Sequence, residues 1–346
     1  MSVGYVPVQW NRQKRIYDAI VVGSVLGYLF LWVLCGKLIW RGAESISDEI
    51  LILRGLGSCA FLLLTVILLI GPVARLDRRF LPLLYNRRHL GVLTCLIACA
   101  HGILAIGYYH GFGVDNPLFS LFVNSAGYRS FAGINFELFG AGALVILITL
   151  ASTSHDFWLR NLSPRIWKRL HMLVYVAYGL LIAHVGLGAL QTDRNWAFVF
   201  TVLVSVLSVS AAHVAAAMKE ASVDQGTHAH DGWIDAGLEK DIPMNRARTV
   251  CASGGERIAI FRHADGLAAV TNVCAHQGGP LSEGRIIDGC ITCPWHGWQY
   301  KTDGCSPPPF QERVATYQVR VVAGRVQVSS QPSRPQTAQS RSATHG

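Results

Sequence analysis

Over its first two thirds the chain alternates between short polar, basic segments and long apolar runs, at 17–40, 50–74, 89–110, 134–153, 170–190 and 196–217. Each run is long enough, at about 20 residues, to cross a hydrocarbon core of about 30 Å as an α-helix. From Trp233 to Val328 the pattern changes to brief Val- and Ile-rich runs, RIAIF, LAAVTNV, GRIIDGCIT, TYQVRVVAG and RVQVSS, punctuated by Gly and Asp. That pattern predicts a small antiparallel β domain. Residues 219–231 lose the apolar character and read as a linker, and 330–346 lack large apolar residues and read as a disordered tail. The expected order is a 1–15 N-terminal segment, a 16–218 all-α six-helix membrane bundle, the linker, a 232–329 all-β domain and the tail.

Composition supports this division. The 346 residues are 51% hydrophobic and only 15% charged, too apolar for an ordinary soluble protein of this length. The net charge of +9 sits in short loops between apolar runs, which argues for membrane topology and against nucleic acid. Arg75, Arg78, Arg79, Arg87 and Arg88 join spans two and three; Arg160, Arg165, Lys168 and Arg169 join spans four and five. The alternate connections are poorer in basic residues and carry Glu44, Asp48, Glu49, Asp115 and Asp193. The positive-inside rule then places both termini in the cytoplasm of a bacterial-type inner membrane. Trp10 to Arg15 leads straight into the first span, so no cleavable signal peptide is expected. Cys35, Cys59, Cys95 and Cys99 lie in apolar runs and read as small hydrophobes. Cys251, Cys290 and Cys305 give no disulfide framework in a reducing compartment.

The densest chemistry lies between Asn272 and Tyr300. Cys274-x-His276 and Cys293-x-x-His296 are separated by sixteen residues. Two thiolates can hold one iron of a [2Fe–2S] cluster and two imidazoles the other, each loop giving one ligand to each iron. A Cys2His2 zinc site uses the same ligand set, but it has no need of the accompanying Gly278, Gly279 and Gly297. Those glycines let backbone N–H groups approach the sulfurs.

The pattern, with CPWHGW in its second loop, resembles the Rieske [2Fe–2S] family. Quinol–cytochrome members carry an extra cysteine in each loop, and here those positions read Gly279 and Trp295. The resemblance is therefore to ferredoxin-like and oxygenase-type members. It implies one cluster, a potential in the lower part of the family range, and Pro307-Pro308-Pro309 as a covering third loop.

An ionisable residue inside a membrane helix is a functional hypothesis by default. His101 lies twelve residues beyond His89 and His184 thirteen beyond His171, so both sit about 18–20 Å along parallel spans. Two imidazoles at one depth can supply both axial ligands of a b-type haem. The segment from Ala74 to Val185 resembles the ferric-reductase-like transmembrane family, which includes the haem subunit of a bacterial sulfoxide-reductase system. The residues that carry the likeness are Arg87-Arg88-His89-Leu90-Gly91, His101, Thr153-Ser154, Trp167 to His171, Tyr175 and His184. The resemblance implies one or two haems, the first at His101 and His184. A second would need His171, with His89 or His155 as candidate partners. His110 and His213 read as interfacial polar residues, His228 and His230 as linker, and His263 as a solvated loop residue.

No strand-linked G-x-G-x-x-G, flavin domain, mononuclear iron triad or catalytic triad is legible, so no catalytic residue is assigned. The expected function is one-electron transfer between a cytoplasmic Rieske cluster and transmembrane haem. A soluble reductase or ferredoxin would be the donor, and quinone or an outer-face redox protein the acceptor. Reversed flow toward a soluble oxygenase is an alternative, as is a redox-sensing module or a mere membrane anchor.

Overall fold

The computed structural model describes residues 12–334 except 40–45, 85, 112, 114–115, 124–129, 132–133, 156–157, 159–161, 163, 189, 191–195, 226–228, 253, 277, 296 and 309. Among the described residues six helical spans are long and apolar enough to cross a membrane, the fifth running over Ile166–Leu187. Their main helices are α1 (Arg12–Ile39), α2 (Asp48–Leu76), α3 (Arg87–His110), α4 (Phe136–Thr153), α5 (Leu173–Leu187) and α6 (Trp196–Gln225). A short helix, Pro164–His171, leads into α5, and another, Pro117–Val123, follows α3. The chain is an integral membrane protein, with the span positions its apolar runs predict.

The chain divides into two compact units, one of which holds residues 10–70 and 86–212. Its interior joins Phe61, Leu64 and Leu68 of α2 to Cys95 of α3, Ala143 and Leu147 of α4, Ala177 and Tyr178 of α5 and Val209 of α6. Ala143 and Ala177 are fully buried, and such small residues let membrane helices approach closely. Tyr178 stacks on Phe61 at 5.5 Å, and its hydroxyl lies 3.1 Å from that of Thr65. Large apolar side chains such as Phe30, Leu96, Ile103 and Phe200 stay exposed, which suits a surface bathed in lipid tails.

The other unit holds residues 71–85 and 213–346. Its strands are β1 (Ala229–His230), β2 (Trp233–Leu238), β3 (Ala247–Cys251), β4 (Arg257–His263), β5 (Gly266–Thr271), β6 (Arg285–Ile287), β7 (Cys290–Thr292), β8 (Gln299–Tyr300), β9 (Thr316–Val322) and β10 (Arg325–Arg334). Among the described residues they form an antiparallel sheet in the order β1-β2-β10-β9-β5-β4-β3 and a smaller one in the order β8-β7-β6. The alternation along β4 builds two interiors. Ile258 and Ile260 enter one with Ile234, Val250, Val326 and Val328. Ala259 and Phe261 enter the other with Leu281, Ile291, Tyr300, Cys274 and Cys293. The second interior is thus the floor beneath the Cys-x-His and Cys-x-x-His loops.

Two boundaries differ from the sequence reading. Helix α6 continues through the residues read as the start of a linker, because their polar side chains have partners at fixed helical spacing. Lys219 Nζ donates to the carbonyls of Arg75 and Leu76 at 2.9 and 3.0 Å, covering the C-terminal end of α2. Glu220 and Asp224, one turn apart, both meet Arg257 of β4. Its Nη1 lies 3.1 Å from Glu220, while Nε and Nη2 hold Asp224 in a two-pronged pair at 3.1 and 2.8 Å. Arg75 Nε adds contacts of 3.3 Å to Glu220 and Glu283. At the other end, β10 runs to Arg334, past the domain boundary expected at 329, since Arg334 still pairs with Thr316.

The Arg257 guanidinium holds the Asp224 carboxyl below its ordinary range, first by hydrogen bonding and then by charge. A carboxyl depressed in the folded state stabilises it above the unfolded pKa and loses that contribution as pH falls through the folded value. Lowering the pH from about 7 to below about 4 should therefore loosen β4 from α6. Arg257→Gln should do the same at neutral pH, at a cost of roughly 1 kcal/mol for so exposed a pair. Hydrogen exchange at 217–225 and 257–261 checks both; protection unchanged in the variant would contradict the assignment.

Candidate metal centres

The two Cys/His loops have matching backbones. The Cys274 N–H donates to the Gly279 carbonyl at 2.9 Å, and the Gly278 N–H donates back to the Cys274 carbonyl at 2.7 Å. In the second loop the Cys293 N–H donates to Trp298 O at 2.7 Å and the Gly297 N–H to Cys293 O at 3.0 Å. Gly278 and Gly297 occupy the same place in each turn, with φ of 74° and 72°, a region that favours glycine. Gly279 has a different reason: a Cβ there would lie 2.9 Å from Cys293 Sγ and 3.0 Å from the Trp295 ring. The first loop thereby touches the sulfur of the second.

Both thiols are buried, Cys274 at 2% and Cys293 at 1% exposure. Tyr300, fully buried below them, places its hydroxyl 3.2 Å from Cys274 Sγ and accepts the His276 N–H at 3.3 Å. Burial, then the adjacent Cys274 sulfur, raises the Tyr300 hydroxyl far above its usual range, so it stays a donor. The His276 ring lies flat on Trp298, with centroids 4.2 Å apart and planes 4° apart. Trp298 Nε1 donates to Ser306 at 3.0 Å, and Phe310 packs on the same indole at 4.2 Å. Phe310 thus brings the segment after Ser306 against Trp298; Pro309 lies outside the described residues, as do His228 and His296. Two buried thiols set against backbone that only glycine permits fit a sulfur-bridged iron cluster, whose sulfides need N–H groups without side chains.

In the membrane unit, His101 and His184 face one another with ring centroids 6.3 Å apart and planes at 83°. Each ring is fixed through Nδ1, His101 to the Leu53 carbonyl at 3.0 Å and His184 to the Phe136 carbonyl at 2.9 Å. Since a carbonyl only accepts, each imidazole carries its proton on Nδ1 and keeps Nε2 as an electron-pair donor. Two metal–imidazole bonds of about 2 Å, plus about 1.1 Å from each nitrogen to its ring centre, separate two centroids by about 6 Å. The observed spacing fits two imidazoles that would share one iron.

Glycine makes room for both rings. A Cβ at Gly57 of α2 would lie 2.9 Å from His101 Cε1, and one at Gly140 of α4 would lie 2.7 Å from His184 Nδ1. His171 is placed differently. Its Nδ1 lies 3.1 Å from the Trp167 carbonyl, its Nε2 3.3 Å from Ser154 Oγ, and its ring stacks on Trp167 at 3.9 Å. His89 Nδ1 meets the Asp18 carboxylate at 2.9 Å, and His155 lies in the turn after α4. Sequence reading gave no role to Gly57, Gly140 or Tyr300, and Trp298 entered it only as the last letter of CPWHGW. The two helix glycines left a trace as small residues within apolar runs.

Comparison with known proteins gives two family matches. Residues 232–318 match the Rieske [2Fe-2S] domain, and residues 55–182 match the ferric reductase like transmembrane component. The anthranilate 1,2-dioxygenase ferredoxin subunit of Burkholderia cepacia is 38% identical over 100 residues, covering 28% of this chain and 87% of that protein. Cholesterol 7-desaturase nvd 1 of Ciona intestinalis is 33% identical over 90 residues, 25% of this chain; the match spans only 19% of the desaturase. Among solved structures, the complex of reduced oxygenase and oxidized ferredoxin in carbazole 1,9a-dioxygenase aligns at 25% identity and a TM-score of 0.29. That alignment covers 30% of this chain and 99% of the other.

On this geometry Gly140→Ala drives a methyl group into the His184 ring and should lower haem retained per purified chain several-fold. Gly142→Ala, whose Cβ would meet only Leu180 at an ordinary 3.5 Å, should retain it. A pyridine haemochrome assay on both variants checks this; equal haem content would contradict it.

Proposed function

The chain belongs to the Rieske [2Fe–2S] family through residues 232–318 and carries a ferric-reductase-like transmembrane component at 55–182; from that premise we propose that it relays single electrons between a Rieske cluster and one b-type haem in the membrane. The opposed His101 and His184 rings, each tied at Nδ1 to a carbonyl, carry this reading. A Rieske cluster and a b-type haem each take up and release one electron at a time.

The chain's own residues do the rest. Cys274 and Cys293 would hold one iron of the cluster as thiolates, and His276 and His296 the other. Trp298 fixes the His276 plane, and Tyr300 directs its hydroxyl at the Cys274 sulfur, a bond that favours the reduced cluster. In the bundle, Leu53 and Phe136 set the tautomers, while Gly57 and Gly140 admit the rings between closely packed helices. His171 serves as a tie between Trp167 and Ser154 rather than as a second haem ligand. With both termini in the cytoplasm, as the basic loops favour, the donor would be a soluble reductase or ferredoxin and the acceptor would lie toward the outer face. The likeness to a dioxygenase ferredoxin subunit supports a role in electron supply, not oxygenation.

His276→Ala tests the order of the relay. Haem reduction by a ferredoxin–reductase donor should fail, while dithionite, which reaches haem directly, should still reduce it. Unchanged donor-driven reduction would overturn the order.

A further inference from the structure

His110 ends α3, and the structure buries a side chain that sequence placed at the interface. It is 8% exposed, set between Ser120 of the helix Pro117–Val123 and Glu137 in the first turn of α4. Ser120 Oγ lies 2.6 Å from His110 Nδ1 and 2.9 Å from the Pro117 carbonyl. A hydroxyl has one proton, and the carbonyl can only accept it. Ser120 therefore donates to Pro117 and accepts from the His110 Nδ1–H.

That fixes the other nitrogen. His110 Nε2 faces Glu137 Oε1 at 3.7 Å. An imidazole and a carboxyl held this close can pass one proton between them. The separation exceeds a direct hydrogen bond, which leaves that proton available to a third group. The proton store also adjoins the redox site. Phe136, the residue before Glu137, holds His184 Nδ1 with its carbonyl and stacks on the His184 ring at 5.3 Å.

A metal ion or redox protein takes an electron without a proton, so a proton store beside an electron exit serves an acceptor that takes both. The adjoining surface indicates its phase. Leu118, Phe119 and Phe122 of the Pro117–Val123 helix are exposed, whereas Leu121 is buried and Ser120 turns to His110. Such an apolar face suits lipid, not water.

We propose that His110 and Glu137 are the proton-delivery pair of a quinone-reducing site at this end of the bundle, an inference that rests on the relay reading above. Two electrons arrive singly, in two passes from the donor. Two protons pass from the pair to the two quinone oxygens, the pair reloading from water between them. Both carbonyls become hydroxyls, giving the quinol.

The test uses the full chain in lipid nanodiscs, reduced with dithionite and freed of excess. It is then mixed without oxygen with decylubiquinone or with ferricyanide while haem absorbance is followed. His110→Gln and Glu137→Gln should each slow reoxidation by the quinone about 100-fold and leave ferricyanide rates unchanged. Glu137→Asp, which keeps the carboxyl, should recover most of the quinone rate. The proposal is overturned by an unchanged quinone rate in both variants or by equal slowing with both acceptors. It is also overturned by a wild-type chain that ferricyanide reoxidises and quinone does not. Absence of a haem spectrum would instead sink the relay reading on which it rests.

Discussion

An imidazole inside a bilayer must have its N–H satisfied by protein, since no water is at hand to do it. Both His101 and His184 meet that demand by giving Nδ1–H to a backbone carbonyl of a neighbouring segment, Leu53 and Phe136 respectively. One bond then does three things. It removes a buried polar group, it selects the tautomer with a bare Nε2, and it ties α3 to α2 and α5 to the start of α4. The glycines at 57 and 140 follow from it, because a ring held that close to a helix leaves no room for a methyl group. The residue after Phe136 is Glu137, so the same constraint places a carboxyl beside His110.

The Rieske domain solves a related problem in another way. Its ligand loops must bring sulfur and backbone N–H groups together, and both do so with one turn in which a glycine at positive φ donates back to the cysteine carbonyl. The two-faced burial of β4 gives these loops a rigid floor while the opposite face packs the larger sheet. Tyr300 and Trp298 then connect the floor to the loops, one through the Cys274 sulfur and the other through the His276 ring.

Features set by local or length constraints were legible in the sequence. The six spans follow from bilayer thickness, and the cluster motif from ligand spacing within short loops. Features set by distant partners were not. Lys219, Glu220 and Asp224 look like linker residues until Arg75 and Arg257 are placed against them, and β10 looks like tail until Arg334 pairs with Thr316. Gly57 and Gly140 acquire meaning only from histidines on other helices, and His110 only from Ser120 and Glu137. The depth match of His101 and His184 was readable because both lie on helices of known rise. Which nitrogen each presents was not, because the carbonyls that decide it lie 48 residues away in the chain.

A relay of this kind requires both redox groups in this one chain. The most direct measurement is the stoichiometry of the purified full-length protein, haem by pyridine haemochrome and non-haem iron by chelation, with paramagnetic resonance of the reduced sample. One haem and two non-haem irons per chain, with a Rieske-type signal, are expected of the relay. Non-haem iron and that signal without haem would reduce the bundle to an anchor and contradict the relay.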